Sequence, residues 1–155
     1  MLPSQASDIF DPDLKKMRDE RWKLAFSESA QSDDPDALDL KATIVLEHVI
    51  QASDVCHTMQ HWTVYQKWNR CLFEEMYKSF KAGRTDKDPS LNWYQRELWF
   101  FDNYVIPLAK KLKEYQVFGA SGHEFQGYAY EYRLEWENRG EDIVKEMVSE
   151  LSDNE

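Results

Sequence analysis

The sequence predicts an all-α fold, and three observations carry that reading. Apolar residues recur every three or four positions, which lines them along one helical face. The runs that do so are longer than ordinary strands. The 155 residues include only 5 Gly and 5 Pro, too few for a turn-dense β architecture. With 14% aromatic residues, the chain also carries too much large apolar surface to be wholly disordered.

Asp11-Pro12 opens the first helix: the carboxylate caps free N–H groups and proline is tolerated at the first helical position. Leu14, Met17, Trp22, Leu24 and Ala25 continue it until Ser27. Ser27 to Asp36 is acidic and serine-rich, contains Pro35, and reads as a solvated loop around residues 28–37. The second helix runs from about Ala37 to Asp54. Its run Ala42 to Leu46 is apolar around most of the circumference, which predicts a central helix. The β-branched Thr43-Ile44-Val45 suits a strand, but the pattern extends to Val49, Ile50 and Ala52, too far for one.

A third helix, about Gln60 to Ala82, carries Trp62, Tyr65, Trp68, Leu72, Met76 and Phe80, and Gly83 ends it. A fourth runs from near Ser90 to Tyr115 on Leu91, Tyr94, Leu98, Phe101, Val105, Leu108 and Leu112. Pro107 within it predicts a kink, because the ring clashes with the preceding turn. The fifth starts at Ser121, where Ser121 and Glu124 fit a capping box. Its stripe is Phe125, Tyr128, Tyr132 and Trp136. Arg139-Gly140 is expected to break it before a short last helix with Ile143, Met147, Val148 and Leu151. No internal repeat is present.

A formal charge of −10 argues against nucleic acid as the main partner, since phosphate binding needs clustered Lys and Arg. No run approaches the roughly 18–20 apolar residues that span a bilayer. Met1 to Asp11 lacks the basic start and apolar centre of a secretory signal. Cys56 and Cys71 are too few for a disulfide framework and fit reduced thiols in a cytoplasmic setting. Their spacing matches no zinc motif.

The densest cluster of chemically capable residues is Asp54 to His61. Asp54, His57 and His61 would share one face if the helix continued, and His57 with His61 is a spacing that can hold zinc. The alternative is a helix boundary at which Asp54 caps and the histidines pack or face solvent. No glycine-rich phosphate loop and no G-x-S-x-G elbow is present. Glu74-Glu75 and Glu141-Asp142 read as solvated faces, His123 as a surface residue. On composition and spacing alone the chain is an acidic helical domain.

Three motifs add more. They are Gln51-Ala52-Ser53-Asp54-Val55; Tyr65-Gln66-Lys67-Trp68 followed by Phe73-Glu74-Glu75-Met76-Tyr77; and Phe100-Phe101-Asp102-Asn103-Tyr104-Val105-Ile106-Pro107-Leu108. In order and spacing, the stretch His48 to Lys113 resembles the eukaryotic class I 3′,5′-cyclic nucleotide phosphodiesterases. Ser7-Asp8-Ile9 is similar to a segment that precedes these motifs in the family. The resemblance implies an HD-type phosphodiesterase helical bundle, of which residues 1–155 are a partial catalytic domain corresponding to its C-terminal half. It implies hydrolysis of cyclic AMP or cyclic GMP to the 5′-monophosphate in signal transduction. The implied cofactors are two divalent metal ions, zinc with magnesium or manganese, which lower the pKa of a bound water and neutralise phosphoryl charge.

By the same resemblance, Asp54 matches the late aspartate of the first metal site, a hard oxygen donor. Phe100 matches the aromatic that stacks on the purine, and Tyr65 and Trp68 match residues around that pocket. His57 falls where many relatives have a base-contacting asparagine. His61 matches no family ligand. Where relatives carry a base-reading glutamine, this chain has Glu97. An amide donates and accepts, whereas an ionised carboxylate only accepts, so the substitution selects neither adenine nor guanine. Gln95 could replace it only with a register shift. The alternative for Glu97 is a solvent-facing helix residue.

The family's H-N-x-x-H and H-D segments have no counterpart: the histidines are at 48, 57, 61 and 123, and none precedes Asn or Asp. One carboxylate cannot hold a metal pair, and a general acid for the leaving O3′ is missing. The expectation is therefore a polypeptide that by itself binds metal weakly and hydrolyses negligibly. The alternative is a non-catalytic helical interaction or nucleotide-binding module derived from the fold. Expected partners are the cyclic nucleotide and either the missing N-terminal half or a self-associating copy, since the Ala37–Asp54 helix should leave an apolar face uncovered. The chain, or the cytosolic part of a larger membrane-associated protein containing it, is expected in the cytoplasm.

Overall fold

Asp11 starts the first helix as its chemistry dictates. Its Oδ1 accepts from the N–H groups of Asp13 at 2.9 Å and Leu14 at 3.3 Å, with Pro12 at the first helical position. The computed structural model describes residues 11–26, 35–116 and 118–152. These fall into two units, Met1–Ser53 and Asp54–Glu155. Among the described residues there is no strand, and no helix is long and apolar enough to cross a membrane. The Ser7-Asp8-Ile9 segment and most of the acidic loop lie outside the described residues.

The first unit contains α1 (Pro12–Phe26) and most of α2 (Pro35–Asp54). Pro35, assigned to the loop from sequence, instead opens α2, consistent with proline's fitness for a first helical position. The two helices meet through Arg21, whose Nη1 donates to Glu47 Oε1 at 2.9 Å and Oε2 at 3.2 Å. One residue further along each helix, the Trp22 ring meets the buried His48 ring edge-on at 5.4 Å, and His48 Nδ1 lies 2.7 Å from the Ile44 carbonyl. Thr43 sits within the helix and donates its hydroxyl to the Asp39 carbonyl, which excludes the strand alternative. The expectation of a central helix needs correcting. Only Ile44, His48 and Ala52 of α2 are buried, while Leu38, Leu40, Leu46 and Ile50 are exposed. An apolar circumference becomes a core only where neighbours surround it, and among the described residues of its unit α2 has only α1 to pack against.

In the second unit, a 3₁₀ turn (Cys56–Met59) leads into α3 (Trp62–Lys81). The α3 N-terminus is capped by His61, whose Nδ1 accepts from the Thr63 N–H at 3.4 Å. Gly83, at φ 69°, turns the chain out of the helix and donates its N–H to the Phe80 carbonyl at 2.9 Å.

The single fourth helix expected from periodicity is instead a series: a 3₁₀ turn (Pro89–Leu91), α4 (Trp93–Phe100), a π turn (Phe101–Val105) and α5 (Ile106–Glu114). Pro107 explains the π turn. It has no N–H, and its ring excludes the carbonyl four residues back. The ladder widens just before it, with Ile106 N–H donating to Phe101 O.

The fifth helix also departs from expectation. It is α6, a continuous run Ser121–Ser152 that passes straight through Arg139-Gly140. Ser121 is already helical, its N–H bonded to the Phe118 carbonyl. Gly140 is a packing residue here. A Cβ at that position would lie 2.2 Å from Tyr94 Cδ2 and 2.8 Å from Trp136 Cε3. Ala129, Tyr132, Trp136, Gly140, Ile143 and Met147 form its buried stripe. Salt bridges fix its register at two points: Arg133 to Asp102 of the π turn at 2.9 Å, and Arg70 of α3 to Glu146 at 3.6 Å and to Glu150.

Candidate functional site

The buried faces of α3 and α4 each have a polar residue at their centre. On α3 the buried residues are Tyr65, Asn69 and Phe73; on α4 and the first residue beyond it they are Trp93, Glu97 and Phe101. Both sets step by four. The two helices face each other antiparallel, because Phe73 meets Trp93 edge-on at 5.1 Å while Tyr65 meets Phe101 edge-on at 5.6 Å.

Hydrogen bonds join the rungs. The Tyr65 hydroxyl donates to Glu97 Oε2 at 2.7 Å and accepts from Asn69 Nδ2 at 3.3 Å. It also accepts from Trp136 Nε1 of α6. Asn69 Oδ1 accepts from Trp93 Nε1 at 3.2 Å. A phenol has one donor and two acceptor positions, so Tyr65 uses its full capacity. That fixes the direction of every bond in the chain.

The electrostatics follow from burial. Glu97 is 9% exposed, and burial pushes its carboxyl from the ordinary 4.5 up to about 7, against the opposing pull of the Tyr65 and Asn69 hydrogen bonds and the Arg96 charge. Burial, then the adjacent Glu97, raise the Tyr65 phenol well above its usual range, so its proton stays on. The half-buried His57 ring lies parallel to the Tyr65 ring, 4° apart in plane at 6.3 Å. Burial lowers its pKa, which favours the neutral imidazole.

The structure brings together three of the residues singled out from sequence: Tyr65, Glu97 and His57. Phe100 borders this group through its edge-on contact with Phe101 at 6.2 Å, and one of its faces is stacked on Tyr104 at 5.5 Å. Trp68 is not part of it; it is 57% exposed, off the buried stripe of α3. The solvent-facing alternative for Glu97 is overturned by its burial.

Asp54 is the exposed last residue of α2. The Asp54, His57, His61 face does not form. The α-helix stops at Asp54, His57 belongs to the 3₁₀ turn, and His61 caps α3. Among the described residues no three His, Cys, Asp or Glu side chains are grouped to hold a metal ion. The described donor side chains therefore do not fit a metal pair. Cys56 and Cys71 are free and exposed. An open groove of about 890 Å³, lined by Lys110, Lys113, His123 and Gln126 among others, includes none of the sequence-predicted site residues.

Sequence reasoning missed Asn69 and Trp93 and took Trp136 for ordinary core. The available signal was spacing: Asn69 is one turn beyond Tyr65, and Trp93 one turn before Glu97.

The described residues define an all-α protein whose aromatic and polar cluster is assembled from separate helices. The class is given a family by comparison. A family model for 3′5′-cyclic nucleotide phosphodiesterases matches residues 7–116. The chain belongs to that family. No curated protein and no solved structure matches it significantly.

Proposed function

We propose that this chain forms the nucleotide-base side of a cyclic nucleotide phosphodiesterase catalytic domain, with Phe100 stacking on the purine, Glu97, Tyr65 and His57 around it, and Asp54 as its one metal-ligating carboxylate. The reading is supported by one observation in particular: Tyr65 of the second motif and Phe101 of the third meet in one cluster, with His57 and Glu97, which lie just outside the motifs, packed on or bonded to Tyr65. Trp68 stands at the outer margin of this assignment. The reaction is hydrolysis of cyclic AMP or cyclic GMP to the 5′-monophosphate. The family's two divalent ions would supply a nucleophilic hydroxide and neutralise phosphoryl charge. Their histidine ligands, and the general acid, are not among these 155 residues and would come from another polypeptide segment. The chain's own residues bind and orient the base.

Two measurements test this. Calorimetric titration of cyclic AMP and cyclic GMP into the chain should give binding that Phe100→Ala weakens roughly tenfold or more, the effect of losing a base–aromatic stack. No binding, or binding indifferent to Phe100→Ala, rejects the pocket. Hydrolysis by the chain alone with zinc and magnesium should be negligible; robust turnover rejects the incomplete donor set.

The ungrouped donors favour a second reading, a non-catalytic helical module that keeps the pocket to bind a nucleotide or a protein partner. An in-frame coding sequence for H-N-x-x-H and H-D upstream of Met1 decides for the enzyme.

A further inference from the structure

Glu97 occupies an unusual position for a carboxyl. It lies at the junction of three helices, and its hydrogen-bonding neighbours Tyr65 and Asn69 are neutral. From α3, Tyr65 donates to Oε2, and Asn69 is held beside it. From α6, Trp136 donates to the same Tyr65 oxygen, and the Tyr132 ring stacks 5.3 Å from the Tyr65 ring. From the 3₁₀ turn, His57 lies over Tyr65. On its own helix the nearby cation is Arg96, whose guanidinium sits 5.7 Å from the centre of the Trp93 ring. A buried carboxylate without a cation hydrogen-bonded to it strongly favours its neutral form.

Because Asn69 and Trp136 fill both acceptor positions of Tyr65, the phenol proton must go to Oε2 of Glu97 whether or not the carboxyl is ionised. The carbonyl oxygen is the stronger acceptor of a carboxylic acid, which favours the titrating proton on Oε1. The crevice beside Tyr65, Asn69 and Trp136 has about 10 Å³ of space, room for about one water. Glu97 itself is only 9% exposed, so a negative charge on it is poorly hydrated while the helices stay packed.

We propose that Glu97 is a proton-operated positioning residue: protonated, it closes the α3–α4–α6 junction and holds Tyr65, with His57 and Phe101 packed on that ring; ionised, it loosens the junction. The meaning of this device for nucleotide binding rests on the pocket assignment above. Its physical operation does not.

The sign is fixed by linkage. The folded carboxyl titrates at about 7 and the ordinary value is 4.5. Between these values the folded state retains a proton that the unfolded state has lost. Stability is thus greatest below the lower value, falls as pH rises through the interval, and falls no further above the upper one.

The test compares the full wild-type chain with Glu97→Gln, which keeps the acceptor for Tyr65 but cannot ionise. Near-ultraviolet circular dichroism, reporting Trp93 and Trp136, is followed from pH 5 to pH 8.5 alongside urea unfolding. The wild-type signal should change with a midpoint near neutrality. The unfolding equilibrium constant of wild type relative to Glu97→Gln should rise on the order of 100-fold across the range. A wild-type signal that stays flat, or the same transition in Glu97→Gln, overturns the proposal. His57→Asn should keep the transition; its loss there would assign the transition to the imidazole and also overturn the proposal. Should Glu97→Gln fail to fold, the carbon-13 shift of the Glu97 carboxyl in wild type decides. A midpoint near neutrality supports the device and one near the ordinary glutamate value refutes it. None of these measurements uses nucleotide, so a transition without nucleotide binding rejects the phosphodiesterase pocket and leaves the device standing.

Discussion

Gly140 and Gly127 lie in the same helix, and the same substitution at each should move stability in opposite directions. At Gly140 an added Cβ would sit 2.2 Å from Tyr94 Cδ2, 2.8 Å from Tyr94 Cε2 and 2.8 Å from Trp136 Cε3. Carbon atoms in contact prefer roughly 3.5–4 Å. The Trp136 ring is 1% exposed and tied to Tyr65 through Nε1, so it has little freedom to retreat. The Tyr94 ring must therefore move by more than 1 Å, on the order expected to cost about 3 kcal/mol for an overpacked core. Against this stands the gain of about 1 kcal/mol for replacing a helix-interior glycine with alanine. The net expectation for Gly140→Ala is a loss of about 2 kcal/mol. At Gly127 an added Cβ meets nothing within 4 Å. Only the propensity term remains, so Gly127→Ala should gain up to about 1 kcal/mol. Urea unfolding at one pH, followed by far-ultraviolet circular dichroism, measures both. If Gly140→Ala is as stable as wild type, or if both variants shift together, the close packing of α4 on α6 at this point is wrong.

Further outcomes follow from the same contacts. Tyr65→Phe removes the acceptor of Trp136 and Asn69 and the donor to Glu97; unfolding in urea should show a loss of about 2–4 kcal/mol, from several buried polar groups left unpaired. His57 carries a pKa lowered by burial, so its contribution to stability is complete above the ordinary 6.5 and is lost as pH falls through the folded value; proton NMR should place its midpoint below the ordinary 6.5, and a higher midpoint contradicts the burial. Leu46 and Ile50 are 61% and 64% exposed on α2; replacing both by Lys should reduce self-association in sedimentation and the binding of an apolar dye, and unchanged values would mean this face is covered in solution.

The helix class and the outer elements were legible because local chemistry decides them. Asp11-Pro12 caps α1 and Gly83 ends α3 by mechanisms that need no tertiary context. What sequence misplaced were the buried faces of α3 and α4. Periodicity puts Trp68, Leu72 and Leu98 on the core stripe because they are apolar, but the stripes pass instead through Asn69 and Glu97. A hydrophobicity count treats a polar residue as facing outward. A polar residue whose partners sit on another helix breaks that rule, and those partners are 24 to 32 residues away in sequence. Gly140 was misread for a related reason. Glycine breaks helices by default, and the neighbour that requires it, Tyr94, lies on another element. For the candidate site, the resemblance singled out Tyr65, Glu97 and His57, which the structure brings together, while the isolated spacing of Asp54, His57 and His61 misled because it assumed a helix that ends at Asp54.

The directed bonds around Glu97 also bear on base recognition under the pocket assignment. A glutamine at this position would accept the Tyr65 proton on Oε1 and keep a donor on Nε2 at every pH. The carboxyl accepts the same proton on Oε2, so what it offers a ligand depends on Oε1 alone. Protonated, Oε1 is a donor and the side chain imitates the amide. Ionised, it only accepts. Cyclic nucleotides carry the same single negative charge across this interval, so a change in affinity reports the protein. Wild type and Glu97→Gln should therefore bind a cyclic nucleotide with similar affinity at pH 5.5 and diverge by pH 8.5, in calorimetric titrations at constant ionic strength. Affinities that stay parallel throughout would mean that Oε1 does not face the base, and Glu97 would then serve only to hold Tyr65.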